Sequence, residues 1–192
     1  MPPTTSADLR RASDGFVALV ASVGVHQWEL PTPCPDWPVR QLVGHVVAGS
    51  AMAAALLRGA GRNEAIAILG VDELGDDPLD ATRRFLDDQV RAVDEVDSLD
   101  DLRCAHPAGP MTARQLLDLR VGDLVIHTWD LAVAVGADTT LDADLVDRVW
   151  GALRPMTPFI GRLGVFGPGP SGVLDDEAPL QARLLDLAGR RP

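Results

Sequence analysis

The sequence predicts an all-α protein built on four long helices packed as an antiparallel bundle. Three observations predict it. Apolar residues recur at helical spacing in four long segments, the links between them are rich in Pro, Gly and Asp, and no strand-rich region or internal repeat interrupts them. The first helix covers residues 6–24, with Leu9, Phe16, Leu19, Val20 and Val23 on one face and Arg and Asp opposite. Pro31-Thr-Pro-Cys-Pro-Asp-Trp-Pro predicts a rigid extended connector, because each proline fixes its own φ and biases its predecessor away from helix. Asp36 is placed to cap the second helix, residues 37–57, with Pro38 in its first turn. From Leu42 to Leu57 that helix carries no charge, which predicts burial on most sides.

Residues 59–70 are small and at most partly helical. The third helix starts at Asp77 or Pro78 and runs to Val96, with Leu79, Phe85, Leu86, Val90 and Val93 facing inward. An Asp-rich link, 97–101, leads to the turn-rich loop His106-Pro-Ala-Gly-Pro. Thr112 followed by Gln115 is a capping-box pattern that opens the fourth helix, which runs to Val135 and stops at Gly136. A fifth, shorter helix covers 143–153. Beyond Arg154 the density of Pro and Gly predicts irregular chain wrapping the surface, closed by a helix over 180–187. The expected organisation is one domain, 1–192, with the bundle in 6–153 and the wrapping segment in 154–192.

At 192 residues, 46% hydrophobic and 23% charged, the composition is that of a soluble globular domain with a real core. The net charge of −11 is spread along the chain and repels phosphate backbones and anionic lipid, which counts against nucleic-acid and membrane-surface roles. No stretch is read as a membrane span, and the N-terminus lacks the basic and apolar regions of a secretion signal, so a cytoplasmic location is expected. Cys34 and Cys104 are too few and too far apart for a disulfide scaffold or a Cys-pair metal site.

The chemistry-bearing stretch is Asp123-Leu-Val-Ile-His127, a carboxylate and an imidazole four residues apart in an otherwise apolar helix. Residues at i and i+4 share a helix face, so both side chains can converge on one point. His45 sits in another apolar helical segment, beside Gly44 and with Ala48 and Gly49 on its side, small neighbours that leave room for an ion. His45, Asp123 and His127 would supply three ligands to a divalent metal and leave a position open, which is the catalytic arrangement. Other readings stand beside this one. His45 alone suits a core imidazole bonded to a carbonyl, Asp123 with His127 suits an intrahelical pair, and Arg120 either guards the site or takes the metal's place as partner to a buried carboxylate. His26 and His106 are expected at the surface or a boundary, Cys34 as a small packed residue, and Trp37 and Trp129 as anchors of helix packing.

Thr32-Pro-Cys-Pro-Asp-Trp-Pro-Val-Arg-Gln-Leu-Val-Gly-His45 resembles the opening block of an actinobacterial metal-binding family, and Asp123-Leu-Val-Ile-His127-Thr-Trp-Asp-Leu-Ala resembles its second block. Phe166-Gly-Pro and Ala178-Pro-Leu-Gln-Ala-Arg-Leu-Leu resemble its C-terminal pattern. The family is similar to the N-terminal domain of mycothiol-dependent maleylpyruvate isomerase, within the wider DinB-like superfamily. The resemblance implies a DinB-like four-helix bundle holding one divalent ion, zinc or nickel, through His45, Asp123 and His127. That isomerase has Glu where this chain has Asp123, one methylene shorter. Its additional C-terminal domain has no room here, and its catalytic arginine matches no residue, so isomerase activity is not carried over.

Superfamily relatives transfer low-molecular-weight thiols to electrophiles. The resemblance therefore implies a thiol-dependent transferase or isomerase, with mycothiol as cosubstrate and a small-molecule electrophile as partner. Independently of the resemblance, Arg120 is a candidate to orient a carboxylate on thiol or substrate. A metal-dependent hydrolase and a non-catalytic binding or assembly protein are the alternatives. A non-haem iron oxygenase ranks below them, because the ligands lie on long helices without a 2-oxoacid site. Apolar helix surface beyond one bundle's needs leaves a homodimer open.

Overall fold

The computed structural model describes residues 3–158, 160 and 168–192. The predicted four-helix bundle is what the chain forms. Its long helices are α1 (Ser6–Val20), α2 (Val39–Leu57), α4 (Pro78–Asp94) and α5 (Ala113–Val135), joined by the shorter α3 (Arg62–Leu69), α6 (Ala143–Leu153) and α7 (Leu180–Leu187). α1 and α2 each pack against both α4 and α5, so the four close a ring around the core in which α1 lies diagonal to α2. Phe16, Leu42, Leu86, Leu116 and Leu124 fill the interior with essentially no exposure. α3 lies on α2, α6 on α5, and α7 on α6, where Leu184, Leu185 and Leu187 join the core.

Local chemistry sets the helix ends. The Thr112 hydroxyl accepts from the Gln115 N–H and the Gln115 side chain accepts from the Thr112 N–H, the reciprocal capping box expected for α5. Gly136 ends α5 at φ 72°, a left-handed conformation that favours glycine. Asp77 accepts from the Asp80 N–H with Pro78 in the first turn of α4, and Thr5 with Asp8 forms a second capping box on α1. α1 ends at Val20, short of the expected 24.

The connector before α2 departs from expectation. It doubles back instead of extending: Pro31 lies opposite Pro38 as an antiparallel bridge, and the Val39 and Arg40 N–H groups donate to the Leu30 and Trp28 carbonyls. The prolines fix φ but leave room for a turn, in which the Trp37 N–H donates to the Cys34 carbonyl and the Thr32 hydroxyl donates to the Trp37 carbonyl. α2 therefore starts at Val39 with Pro38 at the N-cap, and the exposed Asp36 caps nothing.

Residues 62–69 form a complete helix where only partial helix was expected. Arg103–Cys104 and Met111–Thr112 pair as a two-stranded ribbon (β1 and β2) around the His106 turn. α2 is, against expectation, long and apolar enough by length and composition to cross a membrane; 67% of that stretch is buried among the other helices. Of the family-like C-terminal pattern, Phe166 and Gly167 lie outside the described residues.

Candidate functional site

The contact between α2 and α5 brings the three predicted ligands together. His45 Nε2 lies 3.3 Å from Asp123 Oδ1, and His127 Nε2, one turn further along α5, lies 3.4 Å from the same oxygen. The three donor atoms fall within 4.8 Å of one another. A tetrahedral ion with bonds of about 2.1 Å separates its ligands by about 3.4 Å, so both imidazole-to-carboxylate spacings fit one. The intrahelical Asp123–His127 pair and the three-ligand cluster are thus the same object.

Arg120 takes the other carboxylate oxygen. Its Nη1 donates to Asp123 Oδ2 at 2.9 Å, which leaves Oδ1 to face the imidazoles. Its remaining donors are engaged as well: Nε to Gln89 Oε1 at 2.8 Å, and Nη2 to the Val46 carbonyl and Ser50 Oγ, both at 3.2 Å. The guanidinium fits because position 49 is glycine; a Cβ there would lie 3.0 Å from Arg120 Cζ. Burial opposes ionisation of Asp123, yet the Arg120, His127 and His45 charges outweigh it and hold the carboxyl well below the usual carboxylate range. Burial likewise opposes the His127 imidazolium, but Asp123, Asp130 and Cys34 outweigh it and push the pKa well above its ordinary value.

His127 meets a carboxylate on each ring nitrogen. Its Nδ1–H donates to Asp130 Oδ2 at 2.9 Å, and Asp130 is fully buried. Arg190, arriving from the segment after α7, grips Asp130 with both ends of its fork: Nε to Oδ1 at 3.0 Å and Nη2 to Oδ2 at 2.5 Å. Cys34 joins this group, its thiol donating to Asp130 Oδ2 at 3.4 Å while Arg190 Nη2 donates to its sulfur at 3.3 Å.

The site opens on the α2 side. The His45 side chain is 35% exposed and that of His127 only 7%. A cleft of about 710 Å³ runs between α2, the connector and residues 69–74, lined by Trp37, Arg40, Gln41, Gly44, His45 and Asp72 among others. The Trp37 ring lies 4.5 Å from His45 and 5.9 Å from His127, centroid to centroid, so it walls the site in addition to anchoring a helix start. Trp129 is buried in the core as expected, and His26 is exposed.

His106 departs from expectation. It is buried, with Nδ1 accepting from the Ala108 N–H at 3.1 Å, because the ribbon folds its turn onto the bundle. Burial and the nearby Arg120 charge lower its pKa. Asp130, Gln89, Ser50 and Arg190 also belong to the site and have no role assigned from sequence. The i, i+3 spacing from His127 is a signal for Asp130, whereas nothing near Arg190 in sequence points to it.

Residues 9–132 match the mycothiol maleylpyruvate isomerase N-terminal domain family. The chain belongs to that family. An uncharacterised protein of Mycobacterium tuberculosis, strain H37Rv, is 29% identical over 170 residues, covering 88% of this chain and 85% of the relative. A second uncharacterised protein of that strain is 30% identical over 152 residues, covering 68% of this chain and 56% of the relative. Among solved structures, the crystal structure of the mycothiol-dependent maleylpyruvate isomerase superposes with a TM-score of 0.62 at 17% identity, covering 79% of this chain and 67% of that one. A histidine-to-alanine variant of the same enzyme superposes equally well at 15% identity. At these identities the superpositions speak for the fold alone.

Proposed function

We propose that this chain holds one divalent ion, zinc or nickel, through His45, Asp123 and His127, and uses it to activate a low-molecular-weight thiol of the mycothiol type for transfer to, or isomerisation of, a small electrophile. The observation that carries the proposal is the convergence of two imidazole Nε2 atoms on one carboxylate oxygen, at 3.3 and 3.4 Å, beside a cleft large enough for a small molecule. The thiol-dependent chemistry is drawn from the family the chain belongs to. The ion's contribution, when bound, is to lower the pKa of a thiol at its open position so that thiolate persists near neutrality.

The remaining work falls to the chain. Arg120 holds Asp123 by its outer oxygen and keeps it ionised, so it acts through Asp123 instead of touching substrate. Trp37 and the apolar faces of Gly44, Ala48 and Leu74 exclude water from the inner end of the cleft, while Arg40 and Gln41 offer polar contacts further out. A low-molecular-weight thiol cosubstrate persists in a reducing compartment, and on that basis we assign the protein to the cytoplasm.

Elemental analysis of the purified protein beside His45→Ala and His127→Ala tests the ion: near-stoichiometric metal in the parent and loss in both variants is expected, and retention in both refutes the ligand set. The loaded protein is then assayed against a panel of electrophiles with and without added thiol. Thiol-dependent turnover supports the proposal, turnover without thiol establishes a hydrolase instead, and no turnover at full occupancy favours a binding protein.

A further inference from the structure

Two sets of ligand-type side chains overlap at this centre, and they share His127. One is His45–Asp123–His127; the other is Cys34–His127–Asp130, whose donor atoms also lie within 4.8 Å of one another. A single imidazole has two nitrogens, and the sets approach it from opposite sides: Asp123 faces Nε2 and Asp130 faces Nδ1. An ion on one side needs the proton on the other, so the protein must commit His127 to one of them.

The structure shows what makes the choice. The Cys34–Asp130 side already contains a cation, the Arg190 guanidinium, which bonds both Asp130 oxygens and the Cys34 sulfur. Its side chain is only 9% exposed, and Nη1 is tied to the Ala188 carbonyl at 2.7 Å, so the fork is held from both ends. With Asp130 pinned as an acceptor, Nδ1 of His127 is engaged on that side, and Nε2 is the nitrogen that faces Asp123 and the His45 side of the centre. We propose that Arg190, 60 residues on from Asp130, is a positioning residue that fills the Cys34–His127–Asp130 set and thereby commits the ion to the His45–Asp123–His127 set. This rests on the metal reading given above.

Cobalt(II) as probe distinguishes the two sets, because thiolate ligation gives an intense sulfur-to-metal charge-transfer band and nitrogen/oxygen ligation does not. The parent protein loaded with cobalt is expected to lack that band, and Cys34→Ser in the parent is expected to leave cobalt affinity unchanged. Arg190→Met vacates the second set and is expected to produce the band, which disappears again in the Arg190→Met/Cys34→Ser double variant. In that double variant, with both the decoy thiol and the clamp gone, Asp130 is no longer pinned against His127, and cobalt affinity is expected to fall by up to about 10- to 100-fold, the range seen when the outer support of a ligating histidine is disturbed. Arg190→Lys keeps a cation at the position and is expected to suppress the band.

Arg183→Met loosens α7 through loss of the Trp150 and Asp176 contacts and serves as the structural control, with no band expected. A band in the parent, or weakened binding in Cys34→Ser, overturns the proposal, as does an Arg190→Met protein indistinguishable from the parent. Should Arg190→Met fail to fold, Arg190→Gln and the Cys34→Ser comparison carry the same decision. A parent that binds no cobalt at all sinks the metal reading itself, an outcome separate from these.

Discussion

Replacing Arg120 by Met gives the sharpest test of how the buried centre is balanced. The side chain is 6% exposed and makes four hydrogen bonds, one of them a charged contact to Asp123 at 2.9 Å. Methionine fills most of the volume but removes every donor, leaving Asp123 without its strongest cation and Gln89 Oε1 without a partner. Breaking a buried pair from one side costs about 3–5 kcal/mol. Asp123 keeps two imidazoles within 3.4 Å, so the expected loss lies at the lower end, about 3 kcal/mol. Urea denaturation in the presence of chelator measures it directly.

Repeating the titration with saturating zinc should shrink the loss by about 1 kcal/mol or more, since on the proposed reading the ion then neutralises Asp123 in place of Arg120. Moderate salt should change neither value much, because a pair this buried is weakly screened. A metal-free loss below about 1 kcal/mol would show that the four contacts add little beyond what water offers. A loss unaffected by zinc would show that the ion does not meet Asp123.

Gly49→Ala gains about 1 kcal/mol of helix propensity but drives a methyl into the Arg120 guanidinium, 3.0 Å from Cζ, so a net destabilisation of about 1–3 kcal/mol is expected by the same urea assay, and an unchanged or raised midpoint refutes the close approach. His127 has its folded-state pKa raised above the ordinary 6.5, so its imidazolium stabilises the metal-free fold fully below that value and the contribution fades as pH rises through the folded pKa. Metal binding must displace that proton; calorimetry in buffers of different ionisation heat should report release of about one proton at pH 7, and no release refutes the assignment. Asp118 is pushed up by burial, with Thr4 and Arg114 offsetting part of the shift, so its ionised form is disfavoured in the fold at neutral pH; the penalty begins to shrink as pH falls through the raised value and is gone below the ordinary 3.8. Asp118→Asn should therefore match or exceed the parent Tm at about pH 7 and lose that advantage in acid, and a lower Tm at neutrality contradicts it.

What could be read from sequence was what is local or helical. Thr112, Gln115 and Gly136 mark α5 because capping is decided within four residues, and the i, i+4 spacing of Asp123 and His127 survives in any helix. His45 is legible because it lies in the charge-free stretch of α2, which must pack in the core against the apolar side of α5. The turn in the connector is not legible because proline fixes φ while the turn at Cys34–Trp37 depends on Thr32 bonding across it. The burial of His106 depends on where a two-residue ribbon lands, and the role of Arg190 on a partner 60 residues away, so neither shows in the local sequence. Long-range polar clamps leave no periodic trace in a sequence, so the residues that support the His45–Asp123–His127 cluster are not legible there, while the helical spacing within the cluster is.

Trp37 has a practical consequence. Its indole sits 4.5 Å from the His45 ring and 5.9 Å from that of His127. An excited indole transfers an electron or proton readily to a neighbouring imidazolium and goes dark, so displacement of the His127 proton by an ion should brighten it. With Trp28, Trp129 and Trp150 changed to Phe, the emission of one remaining tryptophan becomes a continuous optical readout of the centre, free of chromophoric metals or added dyes. If the centre takes up an ion as proposed, the rate of its entry and release could then be followed in a stopped-flow instrument on the otherwise native protein.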